Sequence, residues 1–588
     1  MDLKYVFLIG ILLFADPFFL RSAEPESMRV AVLCPPEYRE ALRPWIAYRQ
    51  QAGYRIHLLN EPDPSFPIEE KSLLLPAERS EMPLRIRRKI RELNARAPLK
   101  AILIVGDAFP LEEREISRII PSPRVSGAII SHFGSEDHIA SDSWYADLDG
   151  DGLPELSVGR IPARSPEELK GVIEKIIAYE TQVPAGTWQR RIPIVAGIGG
   201  MGAIADQAIN SLVRKIFTDL LPGGYVSPFT QANWKSSFCP APSRFRDTVI
   251  SRINEGALFW VYMGHGFHQG LDLLRTPDGD YPILNEEDID LLNCSAGPPI
   301  LLFFACYTGA LDAYDESIAE KIALSPKGPI AVLAASRISM PYGLSVLGVE
   351  LLDTAFAKEV PRTLGDIVRD AKRKMVPLEM EKTDLSVREE LRGILDQSAR
   401  ILDPSGRRLD LQLMEHLHSV NLLGDPLLQV RFPGKIEEIT APEITRSGSK
   451  IEVRGRIDPD PEWSGIGKPD SEEEVRAELA LPRGRVGYRK KPRQEFSSDL
   501  KTEQEYQRIY EAANRLEHSR GLGKLSGKDF TIPLEIPENV SGSYIIRIFV
   551  KKNGRVYIGS KKLIVRPYDS SRQPPSGETM EKENELFN

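Results

Sequence analysis

Cysteine is scarce in this chain. Four thiols, Cys34, Cys239, Cys294 and Cys306, in 588 residues exclude a disulfide-framed fold, which needs a much denser set. Positive charge is not in surplus either. The net charge is −8 and the acidity is spread out, so the basic footprint of a nucleic-acid binder is missing and no nucleic-acid partner is expected. Beyond the first 23 residues no apolar run reaches the ~20 residues that span a bilayer. No internal repeat is visible, which sets aside a repeat array. The remaining composition, 41% hydrophobic and 27% charged, suits two to four domains with substantial cores.

Residues 1–23 read as a secretory signal peptide. Lys4 precedes an apolar core over 5–14, and Ser22-Ala23 offers small residues for cleavage, although Arg21 fits the cleavage site poorly. The alternative is an uncleaved anchor, against which Asp16 and Pro17 interrupt the run. An exported protein is expected, periplasmic, cell-surface or extracellular, with no integral membrane segment after signal removal.

The chain is organised around 256–312. Two apolar runs lie there, 257–263 ending in Gly264-His265-Gly266, and 299–305 ending in Cys306. Short apolar runs bounded by Gly and Pro predict strands buried on both faces, as in a parallel sheet, whose sites lie at the carboxyl ends of the strands. His265 and Cys306 then share one rim, with enough chain between them for a crossover. A thiol beside an imidazole suggests a nucleophile pair, since the thiolate attacks and a neighbouring imidazole raises its population. Gly266 lets its N–H approach a carbonyl closely, and with the Cys306 N–H it forms a candidate oxyanion hole. The plainer alternative is a loop histidine and a buried core cysteine. A Cys294–Cys306 disulfide, which would abolish the activity, also stays open.

Upstream, 28–33, 54–59 and 99–105 read as strands and 37–53 and 84–97 as helices, an alternation that predicts a parallel α/β layer. Asp147, Asp149 and Asp151 alternate around a glycine turn, with Glu155 nearby. Such oxygens suit a calcium ion that staples the loop; the alternative is an acidic turn. A helix over 166–182 leads to a second layer that starts at 192–196. It continues through a helix at 317–324, a strand at 329–334 and a loop at 336–343. Helices follow at 363–375, 385–402 and 411–420, and 427–431 reads as a strand. After Phe432-Pro433-Gly434, strand signals at 450–456, 474–481, 529–536, 543–551 and 555–565 predict a β-sandwich. A helix over 502–520 interrupts them, with a docking stripe of Tyr506, Ile509, Tyr510, Ala513 and Leu516. The tail from 568 is polar.

An apolar run ending in His-Gly, followed by one ending in Ala-Cys, resembles the signature of the caspase, legumain, separase and gingipain clan. Other stretches narrow this to the gingipain-type cysteine peptidases. Val105-Gly106-Asp107, Ser141-Asp142 through Gly159-Arg160, the run Gly328–Ser336 and Leu423-Gly424-Asp425-Pro426 are similar to that family's segments in the same order. The resemblance implies an α/β fold of two caspase-like parallel-sheet layers with flanking helices, followed by an immunoglobulin-like β-sandwich. The expected units are a signal peptide over 1–23, a first α/β subdomain over 24–185 and a catalytic subdomain over 186–432. The sandwich with its helical insertion spans 433–567, and a disordered tail 568–588.

The same resemblance implies a cysteine endopeptidase acting on protein or peptide substrates through His265 and Cys306, with no cofactor required for the chemistry. A glutamate that assists the histidine in the family is replaced here by Ile198. Asp206 lies roughly where the family carries the acid of its basic-residue pocket; Asp272 and Asp312 are further acids near the strand ends. Met340 and Tyr342 stand for the pocket wall. Cleavage after basic residues is expected. A sortase-like transpeptidase using the same pair, and a catalytically decayed adhesin or scaffold, remain as alternatives.

Overall fold

The computed structural model describes residues 28–59, 81–108, 119–197, 215–357, 363–376, 386–402, 407–457, 472–485, 493 and 495–567. The signal peptide, Ile198, Asp206 and the tail lie outside them.

The first half forms β1 (Met28–Leu33), β2 (Tyr54–Leu59), β3 (Leu99–Val105) and β4 (Ser157–Ile161). The second forms β5 (Ile194–Ala196), β6 (Phe229–Gln231), β7 (Phe259–Met263), β8 (Ile300–Phe304), β9 (Ala331–Ala335) and β10 (Val420–Leu423). β8 and β9 are buried at every position, β7 at all but Met263. Only helices on both faces can cover such strands. They are α1 (Arg39–Gln51), α2 (Glu81–Arg96), α3 (Pro166–Thr181), α4 (Phe245–Asn254), α5 (Ile318–Leu324), α6 (Pro341–Ala355), α7 (Leu364–Met375), α8 (Val387–Leu402) and α9 (Arg407–Ser419).

The two layers expected from the sequence are joined into one ten-stranded sheet, in the order β2-β1-β3-β4-β10-β9-β8-β7-β5-β6. The joint is β10, antiparallel to β9 and meeting β4 where Gly424 N–H donates to the Arg160 carbonyl at 2.7 Å. On one face of the sheet an apolar core runs beneath both halves, from Val30 through Phe432 and on to Phe549, Val556 and Ile558 of the C-terminal unit, and two further clusters cover the other face.

Four local expectations are corrected. The last helix stops at Ser419, and 420–423 is strand; four residues, Val420-Asn421-Leu422-Leu423, are too few to reveal their class by pattern. Residues 427–431 are not a strand, because their backbone groups bond to α3 and α7 instead: Gln429 N–H to Glu180, and Leu364 N–H to the Leu428 carbonyl at 2.9 Å. The loop at 336–343 ends at Met340. Pro341 starts α6, a helix so apolar and so buried that no amphipathic stripe marks it. The helix expected over 502–520 is α10 (Leu500–Asn514), and Glu517–Leu522 is a strand. There Gly521 is required, since a Cβ would lie 2.0 Å from the Pro533 carbonyl oxygen.

The C-terminal unit holds β11 (Gly434–Thr440), β12 (Ile444–Arg446), β13 (Lys450–Ile457), β14 (Glu474–Ala480), β15 (Glu517–Leu522), β16 (Lys524–Ser526), β17 (Asp529–Glu535), β18 (Gly542–Lys552) and β19 (Arg555–Arg566). β11 pairs with β19 at its start and with β13 beyond it, which joins the nine strands into one hydrogen-bonded set. Their buried residues form one apolar core. This unit is fastened to the α/β part by charged side chains. Arg190 binds Glu478 at 2.5 Å, and Arg483 donates to the carbonyls of Leu221, Pro222 and Tyr225. The helical stripe docks as expected: Tyr506 and Tyr510 are buried, and the Tyr510 hydroxyl meets Thr230 Oγ1 at 2.9 Å.

Gly424-Asp425-Pro426 has a physical purpose in this frame. Asp425 Oδ2 accepts from Trp45 Nε1 and from Arg49 Nη2, both at 2.6 Å. Arg49 also forks onto both Glu180 oxygens at 2.9 Å. Removing Asp425 leaves a buried guanidinium half compensated, and breaking such a pair costs about 3–5 kcal/mol. Asp425→Ala is therefore expected to lower the thermal midpoint markedly and to expose the α1–α3 backbone to hydrogen exchange. A midpoint equal to the wild type would remove this role.

Candidate active site

β7 and β8 are parallel neighbours in register, with Met263 opposite Phe304. Their next residues therefore emerge together. Gly264 N–H continues the ladder to the Phe304 carbonyl at 3.3 Å. His265 follows and is exposed, while Cys306 is partly buried one residue beyond Ala305. The chain then folds into a tight hairpin of Gly266–Phe267 against Gly270–Leu271. Gly266 lies directly on the Cys306 turn. A Cβ there would come within 2.8 Å of Ala305 Cβ and of Thr308 Cγ2, and 3.0 Å from the Cys306 carbonyl oxygen. The structure thus brings His265, Gly266 and Cys306 to one rim, the three positions the sequence marked.

The turn after Cys306 is strained. Tyr307 has φ +55°, uncommon for a side chain of that bulk, and such residues cluster at functional sites. Its N–H donates to the Arg337 carbonyl at 3.2 Å, and its hydroxyl donates to Glu136 at 2.9 Å. The Cys306 thiol accepts the Ser339 N–H at 3.3 Å. Burial pushes the thiol above its ordinary value, and the N–H groups of Ser339 and of Cys306 itself offset part of that rise. All four cysteines are free, so the Cys294–Cys306 disulfide does not form.

Ser339, Arg337 and His416 are members of the surroundings that sequence reasoning missed. His416, on α9, accepts the Met340 N–H at Nε2 and holds the Gln412 carbonyl at Nδ1, each at 2.6 Å. Burial lowers its pKa to about 4, so a neutral ring holds the segment that carries Ser339. Ser336-Arg337 directly after an apolar run was the available signal, since polar residues at a strand's carboxyl end face the site rim.

The acids near the rim divide clearly. Asp312 is occupied by cations: Arg337 forks onto it at 2.8 and 2.6 Å, with Arg124 at 3.4 Å and His138 at 3.5 Å. Despite burial, those partners hold its carboxyl far below the usual range. It has no capacity left for a substrate cation, which corrects its candidacy. Asp272 is buried, with Oδ1 accepting from the Leu273 N–H and, at 3.4 Å, from the largely exposed Arg275, and Oδ2 without a partner among the described residues. Met340 precedes α6 as its N-cap. The Tyr342 hydroxyl is committed to Asp396 of α8 at 2.8 Å.

Away from the rim, the carboxylates of Asp147, Asp149 and Asp151 lie within 4.8 Å of one another. Asp147 already binds Arg87 at 2.8 Å and the N–H groups of Gly150 and Gly152. Glu155 is not in the group; its oxygens go to Arg373 and to Leu148 N–H, each at 2.6 Å.

The chain is similar to known proteins in sequence and in fold. Lys-gingipain of Porphyromonas gingivalis strain ATCC 33277 is 23% identical over 245 residues, 41% of this chain and 12% of that protein. Lys-gingipain W83 is 25% identical over 246 residues, again 41% and 12%. The chain thus matches about an eighth of the length of these relatives. A solved protease structure superposes with TM-score 0.50 at 16% identity, over 92% of this chain and 97% of the other, and shares its fold. The Arg-specific gingipain R gives TM-score 0.48 at 16% identity, over 92% and 99%. The sequence profile of Peptidase family C25 matches residues 23–431, the whole peptidase half with its His265–Cys306 rim, and the chain belongs to that family of gingipain-type cysteine peptidases.

Proposed function

We propose that the chain is an exported cysteine endopeptidase in which Cys306 and His265 form the reacting pair. The observation that supports this most is the register of β7 and β8, which delivers both residues to one rim with Gly266 packed on the Cys306 turn. Cys306 attacks the peptide carbonyl as thiolate. His265 takes the thiol proton and returns it to the leaving amine. Water then resolves the thioester, and the N–H groups of Gly266 and Cys306 stabilise the oxyanion. The family resemblance further supports reading the two α/β halves as caspase-like layers and the C-terminal unit as an immunoglobulin-like module.

We extend the reading to a preference for Arg or Lys before the scissile bond. The matched relatives are named for lysine, and a cation leaving water needs a carboxylate in its pocket. Asp206 is the first candidate for that carboxylate and Asp272 the second, with Met340 beside the pocket. A calcium ion on Asp147, Asp149 and Asp151 is proposed as structural. The donors are hard oxygens at suitable spacing, with Arg87 already balancing part of their charge.

Cys306→Ala is expected to abolish cleavage of a fluorogenic peptide library, and His265→Ala to slow it at least ~100-fold. Product masses with and without an added amine separate hydrolysis from transpeptidation. A Cys306→Ala protein that still cleaves would end the proposal, and a folded wild type inert to iodoacetamide would favour a scaffold. The same library, varied at the residue before the cleaved bond, should favour Arg and Lys, and lose that bias in Asp206→Asn or Asp272→Asn.

Because burial raises the Cys306 pKa, thiolate is lost as pH falls. Alkylation of the resting enzyme should keep climbing with pH through ~8.5, the ordinary thiol value. A rate already flat at acidic pH would mean a preformed thiolate–imidazolium pair instead. For the metal, calcium should raise the melting midpoint over that in chelator, and Asp149→Asn with Asp151→Asn should remove the difference.

A further inference from the structure

We propose that Tyr262 is a positioning residue for acyl transfer: its hydroxyl fixes the His265–Gly266 peptide so that the Gly266 N–H faces the oxyanion formed at Cys306. The inference rests on the reading of His265 and Cys306 as the reacting pair.

Tyr262 is a fully buried residue of β7, with its ring against Phe303 at 6.5 Å between centroids. Its hydroxyl reaches out of this apolar layer and donates to the His265 carbonyl at 2.7 Å. A second donor, the Asp272 N–H, meets the same carbonyl at 3.2 Å. The ends of β5 and β7 give way to the hydroxyl. A Cβ at Gly197 would stand 2.6 Å from Tyr262 Oη, and one at Gly264 2.7 Å from it. Both positions therefore require glycine, and the hydroxyl is held in one place. Burial keeps the phenol protonated far above neutral pH, so it is a donor throughout the working range.

The consequence follows from peptide geometry. No peptide bond here is cis, and in a planar trans peptide the C=O and the next N–H point in opposite directions. With the His265 carbonyl drawn inward by two donors, the Gly266 N–H must turn outward. Hairpin register agrees. Gly266 opposes Leu271, Asp272 N–H bonds to His265, and Leu271 N–H goes to Leu284 at 2.8 Å. Gly266 therefore occupies the kind of antiparallel pair whose own N–H and C=O face away from the partner strand. Gly266 itself packs on the Cys306 turn, where a Cβ would meet Ala305, Thr308 and the Cys306 carbonyl oxygen, so its outward-turned N–H lies at the rim that carries the thiol.

Without the hydroxyl only the longer Asp272 N–H bond, at 3.2 Å, holds the carbonyl, and the peptide flips more readily. Gly266 tolerates either sign of φ, and a flipped plane would aim a carbonyl oxygen at the developing negative charge. Tyr262 thus decides between a donor and an acceptor at the same spot, without touching substrate.

The test is Tyr262→Phe, which keeps the ring in place. The expected result is a kcat lowered about 10- to 100-fold with KM nearly unchanged, as for loss of an oxyanion donor. Affinity for a peptide aldehyde, whose hemithioacetal oxygen occupies the same hole, should fall in step, while the iodoacetamide alkylation rate, which needs no such hole, stays at the wild-type value. Gly197→Ala keeps the tyrosine but crowds its hydroxyl, and should give the same split. Phe303→Leu loosens the packing around the ring and should lower the melting midpoint without changing the ratio of aldehyde affinity to alkylation rate. The proposal is overturned if folded Tyr262→Phe keeps wild-type kcat and aldehyde affinity, or if alkylation falls in parallel with them. A wild type that neither cleaves nor alkylates overturns the underlying reading, and this inference with it.

Discussion

The Arg49 guanidinium has no access to water, and its charge is supported only when two distant carboxylates meet on it. One comes from the end of α3 and the other from the turn after β10. A buried cation with one of two partners missing is a costly species, so the first half, the crossover helix and the end of the peptidase half must assemble together. The same logic recurs in Arg160, which forks onto Asp142 at 2.7 Å and caps the carbonyls of Gly106 and Ile120. The Arg49 cluster thus ties the two α/β halves that β10 joins into one ten-stranded sheet, while Arg160 holds the first half together.

That rigid sheet gives the rim its precision. β7 and β8 are held between β5 and β9, so their carboxyl ends cannot slide against each other without dislocating four strands. A parallel pair slipped by one residue would turn every buried side chain to the opposite face. His265 and Cys306 inherit this accuracy because they follow the last paired residues by only two positions. Glycines at 197, 264 and 266 then allow the backbone to close up to contact distance.

Around the thiol the structure places a second group of charges that is already satisfied. Arg337, Asp312, Arg124 and His138 neutralise one another beneath the Tyr307 turn, and Glu136 ties Tyr307 to the same group. They serve to fix the strained turn and the 337–340 segment that brings Ser339 to the sulfur. An acid close to the nucleophile in sequence is therefore not free to bind substrate, whereas Asp272, well before it in the chain, keeps one oxygen without a partner among the described residues.

Much of this was legible from the chain alone. Short apolar runs bounded by Gly and Pro and ending in Gly-His-Gly and Ala-Cys read as buried parallel strands with reactive ends, because little in them can face water. That reasoning located β7, β8 and the three rim residues. It failed for β10 and α6: four residues directly after a helix are too few to carry a period, and a helix with no exposed residue has no polar face to give one. It could not foresee that Asp312 would be consumed by Arg337, nor that Tyr262 would lie under the His265 carbonyl. The sequence by itself determined which segments had to be buried and which reactive residues stood at their ends, since burial follows from the free energy of removing apolar surface from water. Only the tertiary structure decided which polar groups met, because a hydrogen bond or ion pair depends on distances of a few ångströms between residues far apart in the chain, and no local pattern encodes them.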